Sequence, residues 1–262
     1  AKPESRRRVL FDYFVPLSKL IRLKNMLVKT KAVVISTLRY QEKSLIVKCF
    51  TESSGLKTYF VRSAFSSNKS SQRIAYFQPL YILEIEAVHK NKGTMENFKE
   101  VRLAPDYSPN LDIVKNTILL FVSEVLHYSI QEEEANQDLF HYLESALRWL
   151  NEHETIANFH MILLLSITKF LGFYPDLSTV DQPHFEISEG VFVDYRGITC
   201  LTDYETYLFK RLLNLKFSDD QKVFSGSERQ ILIKILLQYF SAHIEGFRQP
   251  KSLDVVTEIF AT

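Results

Sequence analysis

The spacing of apolar residues changes once along this chain, and the change falls between Ala104 and Asn110. Before it, apolar and polar residues alternate. In Leu80–Val88 (LYILEIEAV), Leu83, Ile85 and Ala87 fall on one face and Glu84 and Glu86 on the other. After it, apolar residues recur at near-helical spacing, as with Ile113, Ile118, Phe121, Val125 and Tyr128. Alternation marks a strand with one buried face, and spacing near 3.6 marks a helix with one buried stripe. The chain is therefore read as two regions in series, strands first and helices second.

In the first region, β-branched Val33, Val34 and Ile35 mark a run that starts at Leu27 and ends in the polar stretch Arg39–Lys43. Further runs follow at Ser44–Thr51, Leu56–Ala64, Leu80–Val88 and Phe98–Leu103. Turn signals separate them: Glu52-Ser53-Ser54-Gly55, the Ser-rich loop Ser66–Arg73, and Asn91–Thr94 around Gly93. Short strands so spaced predict a small, closed, five-stranded barrel over 26–104. Over 105–262 the pattern predicts helices at Asp112–Ile130, Asp138–Asn151, Thr155–Leu171, Thr202–Asn214, Ser227–Ile244 and Ser252–Phe260, with Gly172 as a helix stop. Residues 173–199, with Pro175, Pro183, Gly190 and Gly197, read as an irregular insert. The fold class is α+β.

Net charge follows the same division. The chain carries only +1 overall, but residues 1–25 hold 7 Lys/Arg against 2 Asp/Glu, residues 26–104 hold 13 against 6, and residues 105–262 hold 12 against 23. A basic front joined to an acidic back suggests a polyanion partner for the front only. Candidate contacts are Arg39, Lys43, Lys57, Arg62, Lys69 and Arg73, interleaved with Tyr40, Tyr59 and Tyr76. Cations that follow phosphates and aromatic faces that take bases are what holding a single strand requires. The bland alternative makes the cations solubilising and the aromatics core, and inward strand positions do need bulk. Phe60 and Phe77 fit that alternative, while the segment's net charge favours phosphate binding by the cations as a set.

Catalytic signals are missing from the sequence. No Gly-rich phosphate loop is present. His127, His141, His153 and His160 sit in helical segments and read as surface or satisfied core residues. Glu132-Glu133-Glu134 reads as a solvated turn rather than a metal site. The two cysteines, Cys49 and Cys200, stand alone, which fits a reducing cytoplasm and no disulfide framework. No apolar run reaches the roughly 18–20 residues of a membrane span. Residues 1–25 join Arg6, Arg7 and Arg8 to an apolar stretch interrupted by Asp12, and no small-residue cleavage site follows. They read as an upstream extension outside the native start, with a membrane-surface helix as the alternative.

The opening, Leu27–Ala64, contains KTKAVVISTLRYQEKSLIVKCF and GLKTYFVRSA; FQPLYILEIEA follows at Phe77–Ala87 and FLGFYPDL at Phe170–Leu177. These resemble the bacterial recombination mediator family RecO, in the branch found in Bacteroidetes, from Met26 to Phe260. The resemblance implies an OB-fold followed by an α-helical domain. It implies binding of single- and double-stranded DNA, annealing of complementary strands, and no enzymatic reaction. It further implies partnership with RecR and with single-stranded DNA-binding protein, in loading RecA at the nucleoid. By that similarity, Arg39, Lys57, Arg62 and Arg73 fall where the family is basic. Many members hold zinc through two CxxC pairs, whose positions here are Val180, Pro183, Cys200 and Asp203, so a thiolate zinc site and any other cofactor are not expected. The residues themselves leave two alternatives open: a protein-docking adaptor built on the helical half, and an RNA-binding OB-fold.

Overall fold

The computed structural model describes residues 26–65, 74–90, 94–109, 112–131, 134–219 and 223–260. Its first region is an antiparallel sheet of five strands: β1 (Met26–Tyr40), β2 (Ser44–Thr51), β3 (Gly55–Val61), β4 (Ile82–His89) and β5 (Asn97–Leu103). The spatial order is β3-β2-β1-β4-β5, so β1 is central. One long strand serves two neighbours in succession. Met26–Val33 pairs with β4, Ala32–Tyr40 pairs with β2, and the register slips between Val34 and Ser36. A bulge of this kind sharpens strand bend and twist, which is how a flat ribbon becomes a curled sheet.

The curl brings the outer strands together at one point. Phe60 N–H donates to Glu96 O at 2.9 Å and Glu96 N–H donates to Thr58 O at 2.8 Å, a parallel bridge at Tyr59 and Glu96. No ladder follows it. The expected closed barrel is therefore corrected to an OB-like sheet whose edges touch through this bridge and then part. Inside, the alternation holds: Leu83, Ile85 and Ala87 are buried, whereas Glu84 and Glu86 are partly exposed.

The helical region has α1 (Ile113–Ser129), α2 (Gln137–Glu152), α3 (Phe159–Phe170), α4 (Asp203–Leu213), α5 (Gly226–His243) and α6 (Leu253–Ile259). Polar residues start these helices where their first N–H groups need acceptors. Asp112 Oδ1 takes Lys115 N–H at 2.9 Å, and Asn136 Oδ1 takes Leu139 N–H at 3.0 Å. Thr202 with Glu205 and Ser225 with Glu228 form reciprocal capping boxes. Gly172 follows α3 at φ +84°, a left-handed backbone that glycine adopts without strain. The helix α3 is apolar on nearly all sides and occupies the centre of the bundle.

The segment read as irregular contains a short hairpin, β6 (His184–Glu186) paired with β7 (Val191–Val193). Phe185 anchors it, with ring centroids 4.9 Å from Phe192, 4.6 Å from Phe209 and 5.6 Å from Tyr239. Phe185 and Phe192 are buried and Val191 is half-buried. A Cβ on Gly190 would meet Tyr239 Oη at 2.5 Å, so the hairpin turn comes that close to α5.

Candidate nucleic-acid interface

The hairpin that joins β1 to β2 turns through Gln41, Glu42 and Lys43, because Tyr40 pairs with Ser44. Gln41 takes φ 52°, which tightens the turn and leaves Lys43 exposed at its tip. Arg39 lies two residues before the turn. Its Nη2 donates to Glu42 O at 3.2 Å, and its guanidinium sits 4.8 Å from the centre of the Phe65 ring. Register then brings in β3: Leu45 pairs with Val61, so Phe60 and Arg62 arrive beside the same hairpin. Tyr40 meets Phe60 edge-on at 6.0 Å, and Arg62 lies 5.9 Å from the Phe60 ring centre.

The result is one end of the sheet with three exposed cations and two exposed aromatics. Arg39, Lys43 and Arg62 are exposed, Tyr40 is 42% exposed and Phe65 40%. Among the described residues, none of these three cations is ion-paired with a carboxylate. The aromatic faces and unneutralised cations are the two components of a single-strand platform.

Elsewhere on the sheet several cations are already engaged. Lys29 pairs with Glu86 at 3.1 Å and Arg102 with Glu84 at 2.5 Å, on the outer wall that borders a broad hollow of about 670 Å³. Lys31 and Lys48 join the sheet to the helices. Lys31 Nζ donates to Glu144, and Lys48 Nζ donates to His127 O at 3.4 Å, with burial pushing the Lys48 ammonium below its ordinary pKa. Carboxylates thus neutralise Lys29, Lys31 and Arg102, whereas Arg39, Lys43 and Arg62 at the β1–β2 end keep their charge among the described residues.

The expected site residues do not all meet there. Arg39, Tyr40, Lys43 and Arg62 do. Lys57 stands five positions before Arg62 on β3, roughly 16 Å along the strand at 3.2–3.4 Å per residue, near His89. Tyr76 is half-buried against the core. Lys69 and Arg73 lie outside the described residues.

Tyr59 is a correction. It is fully buried, its ring stacks on Phe98 with centroids 4.0 Å apart, and its hydroxyl shares a 2.8 Å hydrogen bond with His89 Nε2. No face of the ring is open to a base. The strand alternation that exposes Phe60 in part turns Tyr59 inward. Phe65 was missed; its signal was an apolar residue placed directly before a Ser-rich loop.

The histidines divide. His127 Nδ1 lies 3.1 Å from Ser36 Oγ, His141 Nε2 lies 2.9 Å from Glu52 Oε1, and His153 Nδ1 lies 2.8 Å from Trp149 O. His160 corrects the expectation of a satisfied core residue, because it is fully buried with neither ring nitrogen hydrogen-bonded. Of the acidic run, Glu134 is exposed, while Glu132 and Glu133 lie outside the described residues. Cys49 is fully buried, and burial pushes its thiol pKa up, which makes it inert.

The four positions that the family resemblance would make zinc ligands do not fit a metal here. Val180 and Pro183 have no ligating atom. Cys200 Sγ accepts Gly197 N–H at 3.2 Å, and Asp203 pairs with Arg196 at 2.5 Å and with His184 at 3.2 Å. Among the described residues no group of three His, Cys, Asp or Glu side chains could hold a metal ion, and no helix is long and apolar enough to cross a membrane.

A curled OB-like sheet followed by a helical bundle defines an α+β protein of the OB type. The chain belongs to the recombination protein O family: the family's N-terminal model matches residues 26–107 and its C-terminal model residues 110–254. It is 62% identical over 237 residues to the DNA repair protein RecO of Flavobacterium johnsoniae, covering 90% of this chain and all of that relative. Its identity to the same-named protein of Flavobacterium psychrophilum is 60% over 238 residues, and to that of Bacteroides fragilis 31% over 242, each again over 90% of this chain and all of the relative. Family membership places the chain in DNA repair and recombination.

Proposed function

We propose that this chain is a recombination mediator that binds single- and double-stranded DNA and anneals complementary strands. With RecR it helps to load RecA onto DNA coated by single-stranded DNA-binding protein. Residues 26–104 supply the DNA contact and 105–262 the helical support. The protein acts in the cytoplasm at the nucleoid and catalyses no covalent step.

One observation carries this reading: Arg39, Lys43 and Arg62 converge beside Tyr40 and Phe65, with no carboxylate pairing them among the described residues. Cations so placed release counterions from a phosphate backbone and hold it. They also lower the repulsion between two backbones brought together, which raises the encounter rate of complementary strands.

The test is annealing of two dye-labelled complementary oligonucleotides by the full chain, followed by energy transfer. The reading expects faster pairing than without protein, weakened by added salt and reduced by Arg39→Ala with Lys43→Ala. Pairing no faster than the protein-free control would overturn it. A matched RNA pair serves as competitor, and stronger competition by RNA than by DNA would also overturn it.

A further inference from the structure

Past the Tyr59–Glu96 bridge, β3 and β5 diverge and leave a cleft of about 240 Å³ between the two strand edges. Phe60 lines it from β3 and Arg62 from just past that strand's end, and Asn97, Phe98 and Lys99 line it from β5. Its floor is already firm, because Phe98 stacks between Tyr59 at 4.0 Å and Phe77 at 5.6 Å. Its mouth is cationic: Arg62 and Lys99 are exposed on opposite lips.

We propose that this cleft takes one unstacked nucleobase of a bound single strand, resting on the Phe60 ring, with Arg62 and Lys99 on the flanking phosphates. The proposal rests on the DNA-binding reading above and extends its track from the hairpin tip into the sheet.

The chemistry favours a base over other occupants. A base needs an aromatic face, a polar group at its edge and cations to meet the flanking phosphates. Phe60, the Asn97 amide and the two lips provide these. Lys99 is available for the task at little cost: its partner Glu86 is 4.0 Å away and is held more closely by Lys29, at 3.1 Å. Exposed pairs so loosely made contribute little. The cleft is also continuous with the tip, since Tyr40 packs on the Phe60 edge and Arg62 covers the same ring.

The experiment uses the full chain and a thymine oligomer with a single 2-aminopurine moved along it. The cleft predicts brighter emission at one position than at the others, where the probe stays stacked on its neighbouring bases. Phe60→Leu, which preserves bulk, should remove most of that difference and weaken binding about tenfold, the worth of one base stack. Phe60→Trp should keep the affinity, and Lys99→Gln, at an exposed site, should weaken binding a few-fold. The proposal is overturned if Phe60→Leu and Lys99→Gln bind and emit like the parent while Arg39→Ala with Lys43→Ala still loses affinity; the tip reading then stands without the cleft. If the parent binds no oligomer, both readings fall.

Discussion

Lys31, on β1, donates to both carboxylate oxygens of Glu144 on α2, at 2.9 and 3.0 Å, and so ties the sheet to the helices. Arg148 holds the same carboxylate from one turn further along α2, at 2.9 Å, and also caps Asp106 O at the junction between the two regions. Burial pushes the Glu144 pKa up, but the hydrogen bonds from Lys31 and Arg148 outweigh it and hold the carboxyl below its ordinary value.

Glu144→Gln should therefore cost about 1–3 kcal/mol at neutral pH, less than a fully buried pair because Lys31 is 36% exposed. The depressed pKa sets the sign. The contribution is complete above the ordinary carboxylate range and is lost as pH falls through the folded value. Urea unfolding of parent and variant at pH 7 and in the acid range checks this. Their difference should shrink with acid; a constant difference would argue against an ionic link.

Tyr59 makes the opposite kind of prediction, stability without DNA. Tyr59→Phe removes the partner of buried His89 and should cost about 1–2 kcal/mol. Oligonucleotide affinity should stay within twofold, because the ring faces Phe98 rather than solvent. A large loss of affinity with unchanged stability would restore it to the binding surface.

His160 predicts an acid-sensitive core. It stacks on Phe260 at 5.0 Å and meets Phe121 edge-on, and burial, with Arg229 nearby, lowers its pKa from 6.5 to about 3. The unfolded chain takes up this proton first, so stability is intact above 6.5 and declines as pH falls toward 3, by roughly 1.4 kcal/mol per pH unit. His160→Phe should flatten that limb. Parallel pH profiles for parent and variant would show that the imidazole does not stay neutral.

Val180 and Pro183, where the resemblance would place zinc ligands, predict indifference to chelation. Thermal unfolding and DNA affinity should be unchanged by a strong zinc chelator. A fall in Tm would reveal a metal held by residues other than these.

Much of this architecture was legible in the sequence because it is written in local terms. The alternation in Leu80–Val88, the caps at Asp112, Thr202 and Ser225, and the stop at Gly172 each depend on neighbours a few residues away. What was illegible depends on curvature and long-range pairing. Alternation shows that Tyr59 and Phe60 face opposite ways but not which way is inward; the bulge in β1 and the Glu96 bridge decide that. Likewise Lys29, Lys31 and Lys48 look like Arg39 in sequence. Only the fold shows that Glu86, Glu144 and His127 have already engaged them. The β6–β7 hairpin was hidden because its three-residue strands sit among Pro and Gly and owe their form to Phe185 packing on α4 and α5.

The central claim is that unpaired cations at the β1–β2 end grip a phosphate backbone. The most direct measurement is the salt dependence of single-stranded DNA binding by the parent and by the variant Arg39→Ala, Lys43→Ala, Arg62→Ala. Each phosphate contact contributes about 0.7 to the slope of log affinity against log salt for a single strand. The account predicts a slope shallower by about 2 in the triple variant, with affinity lost chiefly at low salt. An unchanged slope and affinity would contradict it.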